Sequence, residues 1–415
     1  MIIVFVCTLP YPSYTARECP AKGSLAVPCT QASGKGFEPV EFSAPARVNL
    51  IGEHTDYTGG LVLPMAIPFR SIATIQPSDA GIYELSSENF PSTRTLQSTQ
   101  GLVPVHEWSD YPVGVLRELL SLGVKPPPFR LHLRGNVPLG AGLSSSASIE
   151  VATALALLAL ADASLSPQAI ALLCRRAENN FVGSPCGIMD QFVITAAQAN
   201  HALLLNTRDL SCELLPMDQD RLAGTRIVIA NSTVKHSIAG GEYGLRRREV
   251  EIGQSALRAR FPELRDLGEA TLEQLAVCQS KIYPEAFRRC RHIISENGRV
   301  RAAREAMLVG DPIELGRLMT QSHISQRDDF ECSVKEIDFL VEQALSLSGC
   351  FGARLTGGGF GGCTVNLVAV EDAERFAFTL KDAYRRRFLL EAPVYICEAV
   401  DGAVRQNAST RPDRR

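Results

Sequence analysis

Between Phe129 and Ala163 the chain changes its apolar period, and that change narrows the folds open to it. Phe129, Leu131 and Leu133 alternate with Arg130, His132 and Arg134, the period of a strand with one buried face. Asn136–Ser148 (NVPLGAGLSSSAS) follows, a Gly/Ser loop. From about Ala147 to Ala163 an Ala/Leu-rich run reads as a helix. A strand, a glycine–serine loop and a helix in direct succession point to helix packed on sheet, two layers per domain. Gly140 and Gly142 let a ligand approach the backbone closely, and Ser144, Ser145 and Ser146 offer caps and hydroxyls. The start of the helix presents free N–H groups and a positive dipole end to an anion. The loop lacks the Lys of a Walker A motif and the spacing of a dinucleotide fingerprint. A phosphate site and a plain serine-capped helix both remain open.

Elsewhere, helices are expected at about 167–179, 243–261, 284–309 and 372–387, and strands at 202–205, 226–230 and 394–400. Ala353 to Val370 reads as strand, glycine loop, strand. Alternation without a Rossmann-like rhythm suggests an α+β protein. Residues 1–40, rich in Pro, Ser, Gly and Cys, read as an irregular extension. A polar link near Met217–Asp220 divides the remainder into 41–217 and 218–415, a division that 415 residues readily fill. No internal repeat is visible.

Composition removes several classes. A net charge of −3 gives no basic surface for nucleic acid or anionic lipid. The Arg246–Arg248 and Arg385–Arg387 runs read as solvated helix faces. Twelve cysteines show no C-x-x-C pair and no spacing with the seven histidines, which argues against structural zinc and a disulfide framework. Reduced thiols in a cytoplasmic protein are the expectation. The apolar stretch at residues 2–9 is too short to span a bilayer.

Three further segments carry candidate chemistry. Arg47–Gly60 (RVNLIGEHTDYTGG) places a guanidinium, two carboxylates and an imidazole between apolar runs. Such a loop suits a polyol whose buried hydroxyls each need a partner, and equally a charged turn. Gly183–Gln191 (GSPCGIMDQ) sets Asp190 beside apolar neighbours, where pairing with Arg47 would keep it ionised and able to accept a proton. Glu178 is a candidate Mg2+ ligand. Leu355–Cys363 (LTGGGFGGC) suits either a cleft wall or a bulged hairpin.

These motifs, in this order, resemble the galactokinase branch of the GHMP kinase superfamily over about residues 41–403. The resemblance implies a two-domain α+β fold. Its N-terminal part is ribosomal protein S5 domain 2-like, its C-terminal part is ferredoxin-like, and the site lies in the cleft between them. It implies transfer of the ATP γ-phosphate to the anomeric hydroxyl of galactose, with Asp190 as base and Arg47 as its electrostatic partner. Glu53, His54, Asp56, Gly187 and Tyr243 resemble the sugar contacts. Gly140, Ala141, Gly142, Leu143, Ser144, Ser145 and Ser146 resemble the triphosphate cradle, with Trp108 and Tyr111 near the adenine. Ser146 and Glu178 match the Mg2+ ligands. Galactose and ATP are the expected partners of a monomer or weak oligomer. A kinase for N-acetylgalactosamine or arabinose, or a non-catalytic sugar sensor, is the alternative. Ala46 replaces a family Gly, with strain expected if φ there is positive, and Asn206 replaces a common Asp.

Overall fold

The computed structural model describes residues 38–218, 220–235 and 241–406. The extension expected over residues 1–40 falls almost wholly outside them. The early strands are β1 (Val40–Asn49), β2 (Leu61–Val62), β3 (Pro64–Pro77), β4 (Tyr83–Ser87), β5 (Arg94–Leu96) and β6 (Phe129–Gly135). Later come β7 (His201–Asn206), β8 (Cys212–Pro216), β9 (Thr225–Lys235), β10 (Cys350–Thr356), β11 (Gly361–Ala369), β12 (Val394–Cys397) and β13 (Val404–Gln406). The helices of the first half are α1 (Asp110–Ser121), α2 (Ser145–Leu160), α3 (Pro167–Ala177) and α4 (Met189–Ala196). Those of the second are α5 (Glu242–Arg260), α6 (Leu272–Val277), α7 (Pro284–Leu308), α8 (Pro312–Ser325), α9 (Lys335–Ser346) and α10 (Ala373–Phe388).

A six-stranded sheet runs β13-β1-β3-β6-β4-β5. Its β1–β3 pairing shifts register between Pro45 and Ala46. Pro68 falls in that shift, where a missing ladder donor is tolerated. α2 packs on β1 and β3 and is buried on nearly every side, including Val151, Ala154, Leu155 and Leu158. A helix enclosed in this way has no polar face to keep, which accounts for its Ala/Leu composition.

The second half is built on a four-stranded antiparallel sheet, β10-β11-β9-β12. α8 lies so close to β10 that a Cβ on Gly316 would meet the Phe351 carbonyl oxygen at 2.2 Å. The halves share one apolar cluster, in which Val48, Leu50 and Ile51 meet Val300 and Ala303 of α7 and Val365 and Leu367 of β11. The final strand of the second half ends at Cys397, short of Val400. The chain then crosses back: Ala403 N donates to Ile194 O at 2.8 Å, and β13 pairs with Glu41–Ser43 of β1. The tail of the expected second unit thus belongs to the first sheet. No helix among the described residues is long and apolar enough to cross a membrane.

Candidate active site

β1 delivers Arg47 and the first turn of α4 delivers Asp190. Arg47 Nε donates to Asp190 Oδ1 and its NH2 group to Oδ2, both at 2.7 Å. Its third nitrogen donates to the Gly142 carbonyl at 2.6 Å. Burial alone would lower the Arg47 pKa, but Asp190 more than offsets it and keeps the guanidinium charged. The bidentate pair therefore ties the base candidate to the glycine–serine loop.

That loop is built as an open cradle. Gly140 and Gly142 have φ of 69° and 75°, the left-handed region that glycine tolerates. Both are exposed. Arg47 N donates to Leu143 O at 3.2 Å, which fastens the loop to β1. The Ser144 side chain makes no cap bond to α2, contrary to the capping role open to the serines. The first N–H groups of α2 thus lack a side-chain cap and remain available to an anion. The glycine cluster of the second half backs this loop: a Cβ on Gly357 would meet Gly142 O, and one on Gly362 would meet Ala141 O, each at 3.1 Å. Gly357, Gly359, Gly361 and Gly362 all have positive φ. The cluster is a bulged β10–β11 connection and a wall behind the cradle at once.

The polar loop after β1 is buried and gripped from the second half. Glu53 Oε1 accepts from Gly357 N at 2.8 Å and lies 3.4 Å from the fully buried Arg354 guanidinium. His54 has a φ of 64° and stacks on Phe330 with centroids 4.0 Å apart. Burial, then His292, push its pKa well down, so the ring is neutral, and its Nε2 has no protein partner. Asp56 is half-buried. Burial and then the Asp190 charge raise its pKa to about 7. A Cβ on Gly187 would lie 1.7 Å from Asp56 Oδ2, so only glycine leaves room for that carboxylate. The Tyr243 ring, at the start of α5, is 5.9 Å from His54.

One face of α7 holds this loop in place. Glu296 Oε1 accepts from Gly52 N at 2.9 Å, Asn297 Oδ1 accepts from Leu61 N at 2.7 Å, and a His292 ring nitrogen lies 3.2 Å from Glu53 O. Burial would raise the Glu296 pKa, but Arg299 holds it down to about 2. None of these residues, nor Arg354, was singled out by sequence. The available signal was polar residues four apart on one helix face. The basic run at Arg246–Arg248 is also not a plain solvated face: Arg246 Nε donates to Phe330 O at 3.0 Å, and Arg247 lies 4.9 Å over the Tyr57 ring. Arg385 and Arg386 are exposed and pair locally with Asp382, as a solvated face does.

Beyond Asp190 lies an acidic pocket. α3 runs into a π-helical turn that begins at Glu178, a distortion frequent at functional sites. The Ser146 hydroxyl bonds Glu178. Gln191 Nε2 bridges Glu178 at 2.7 Å and Glu150 at 3.1 Å. Burial, then Asp190, raise the Glu178 pKa to about 7, and burial, then Glu178, raise that of Glu150. Glu150 and Gln191 were not anticipated. Tyr111 belongs to this pocket, where burial and then Glu178 and Glu150 raise its pKa to about 12. Trp108 lines a separate cleft with Phe90, Leu139, Ser145 and Ile149. Trp108 and Tyr111 thus face different surroundings.

Three family models match the chain. They are the GHMP kinases N terminal domain over residues 110–198, the GHMP kinases C terminal domain over 303–386 and the galactokinase galactose-binding signature over 31–77. The chain is 42% identical to the galactokinase of Bos taurus over 404 residues, covering 94% of this chain and 98% of that one. The chain belongs to the galactokinase family. The Homo sapiens galactokinase is 41% identical over 382 residues, 89% of this chain and 93% of that one. The crystal structure of Lactococcus lactis galactokinase complexed with galactose matches with a TM-score of 0.84 at 30% identity, over 90% of this chain and 96% of that chain. A Methanococcus jannaschii mevalonate kinase, at 19% identity and a TM-score of 0.64 over 89% of this chain and 99% of that one, shares the fold.

Two departures from the family pattern are absorbed locally. Ala46 is not among the positive-φ residues and lies fully buried in β1, so the strain expected of it does not arise. Asn206 Oδ1 accepts from Arg208 N at 3.2 Å, a turn bond that an Asp carboxylate would make equally well.

Proposed function

We propose that this member of the galactokinase family transfers the terminal phosphoryl group of ATP to the anomeric hydroxyl of galactose. The observation that carries the reading is the position of Asp190. Arg47 holds it by two hydrogen bonds, and the same guanidinium bonds the phosphate-cradle carbonyl of Gly142. Glu53, His54, Asp56, Gly187 and Tyr243 supply the sugar contacts on one side of that pair. Gly140–Ser146 supply the triphosphate cradle on the other, and the Trp108 cleft suits the adenine.

Asp190 accepts the hydroxyl proton. A carboxylate is a weak base for an alcohol, so the proton moves late, after phosphoryl transfer has begun. Arg47 keeps that carboxylate aligned by two charge-assisted hydrogen bonds. Most of the acceleration then comes from positioning and from charge stabilisation by Arg47 and the start of α2.

The residues present fit a divalent cation. Ser146 and Glu178 are hard oxygen donors, few enough for an ion that completes its shell with phosphates and water. The raised pKa of Glu178 and the unpartnered Glu150 Oε1 mark a pocket short of positive charge. When bound, Mg2+ neutralises charge on the transferring phosphate. Eight of the nine described cysteines are free thiols, which supports a reducing, cytoplasmic setting; Cys212, which is disulfide-bonded, departs from the expectation of reduced thiols throughout.

A coupled ADP-release assay across a sugar panel tests the proposal. Galactose should give the highest kcat/KM, and Asp190→Asn should abolish turnover while leaving galactose binding largely intact. Turnover confined to another sugar, or none at all, contradicts the substrate reading. A near-normal kcat for Asp190→Asn removes Asp190 as base.

A further inference from the structure

Ser144 stands in the phosphate cradle, yet its hydroxyl is engaged elsewhere. Its backbone is left-handed, with φ 61° and ψ 46°, a conformation that carries a steric cost for a residue with a Cβ. As the N-cap of α2 it would ordinarily accept from an N–H two or three residues on, and it does not. Instead its hydroxyl donates to Asp190 Oδ2. Ser144 is 8% exposed, so this bond is sheltered from water.

The donors on Asp190 are unevenly shared. Oδ2 receives Arg47 NH2 and Ser144 Oγ, whereas Oδ1 receives only Arg47 Nε. An ionised carboxylate offers about two lone-pair sites per oxygen. Oδ2 is therefore filled, and Oδ1 keeps a site free.

We propose that Ser144 is a positioning residue that fills Oδ2 of Asp190 and thereby makes Oδ1 the oxygen that takes the sugar proton. The inference rests on the reading of Asp190 as base. In the step it describes, the anomeric O–H bond breaks and an H–Oδ1 bond forms. The sugar oxygen's electron pair forms the new bond to phosphorus, and the bond from phosphorus to ADP breaks with its electron pair leaving on ADP. Ser144 also leaves the first N–H groups of α2 without a side-chain cap, so one left-handed residue serves both the base and the cradle. Without its hydroxyl, one of three donors fixing the carboxylate is gone. Either oxygen can then turn towards Arg47 alone, and the productively oriented fraction falls.

Ser144→Gly is the decisive variant, because glycine adopts a φ of 61° freely, so the hydroxyl is removed without backbone strain. The expected result is a fall in kcat of about ten- to hundredfold, the range for a hydrogen bond to a charged group, with KM for ATP and for galactose within about twofold of the parent. Ser144→Ala should lower kcat to a similar extent. A large rise in KM for ATP with kcat intact would make Ser144 an ordinary phosphate contact and overturn the inference. So would a Ser144→Gly enzyme with unchanged kcat. An inactive Asp190→Asn enzyme beside an unimpaired Ser144→Gly enzyme defeats this inference alone. An active Asp190→Asn enzyme defeats the reading of the base beneath it.

Discussion

Gly187→Ala isolates the sugar side of the site with a single methyl group. The residue does not have a positive φ, so alanine meets no backbone penalty there. The methyl carbon would lie 1.7 Å from Asp56 Oδ2 and 2.2 Å from its Cγ. Ordinary contact begins near 3.4 Å, so the carboxylate must give way by well over an ångström. That is enough to break any hydrogen bond it makes to a sugar hydroxyl. Losing a hydrogen bond to a charged group costs about 1.5–3 kcal/mol, or about ten- to 150-fold in affinity at 1.4 kcal/mol per decade. The variant should show that rise in KM for galactose in a coupled assay at saturating ATP, with KM for ATP unchanged. Calorimetric titration with galactose should report the same loss. If the methyl acts only by displacing Asp56, it should do nothing further in an Asp56→Ala background. An unchanged KM in the single variant, or additive losses in the double variant, would refute the argument.

Two other expectations follow from the geometry. Glu178, with its pKa raised to about 7 by burial and Asp190, should release a proton when Mg2+ and nucleotide bind below that pH. The reverse of that linkage is a stability contribution fully present below the unfolded carboxylate value and lost as pH rises through about 7. Calorimetry of Mg2+–nucleotide binding at pH 6 and pH 8, each in two buffers of different ionisation enthalpy, should show proton release at the lower pH. Release should be much smaller at pH 8 and should shrink at pH 6 in Glu178→Gln. Equal release at both pH values would contradict the assignment. Ala46→Gly, which restores the family residue, should lower stability by about 0.5–1 kcal/mol in denaturant unfolding, the usual cost of glycine inside a strand. A gain in stability would mean that Ala46 is strained after all.

The parts of the site that were legible in sequence are those where backbone and chemistry share a short segment. A glycine–serine loop needs its glycines for φ and its helix start for charge, so both signals sit between Asn136 and Ser148. The Arg47–Asp190 pair was legible for a different reason: a carboxylate among Gly187, Ile188 and Met189 needs a counter-charge, and Arg47 offered a plausible one. What stayed hidden is the buried polar face of α7. His292, Glu296 and Asn297 lie in a segment dense with arginines, and such a pattern reads as a face turned to water. Only the fold brings Gly52, Glu53 and Leu61 against it and converts solvated polarity into backbone anchorage. β3 was missed because Pro64, Pro68 and Pro77 interrupt its pattern, although Pro68 merely falls where the ladder with β1 is already broken. Tyr111 and Trp108 are three positions apart, yet α1 begins between them. The family resemblance placed both near the adenine, and the start of the helix parts their surroundings.

The return of β13 to the first sheet has a consequence for how the polypeptide is made. β1 carries Arg47, and its outer edge is covered by Val404–Gln406. During translation that edge emerges early, and its cover is synthesised only after the whole second half. An open strand edge is a template for pairing with another chain. A nascent first half can therefore assemble its α2-covered core but not close its sheet. The interval between those two events is a window in which a chaperone or a slowed ribosome would change the yield of folded protein without altering a single contact in the finished site.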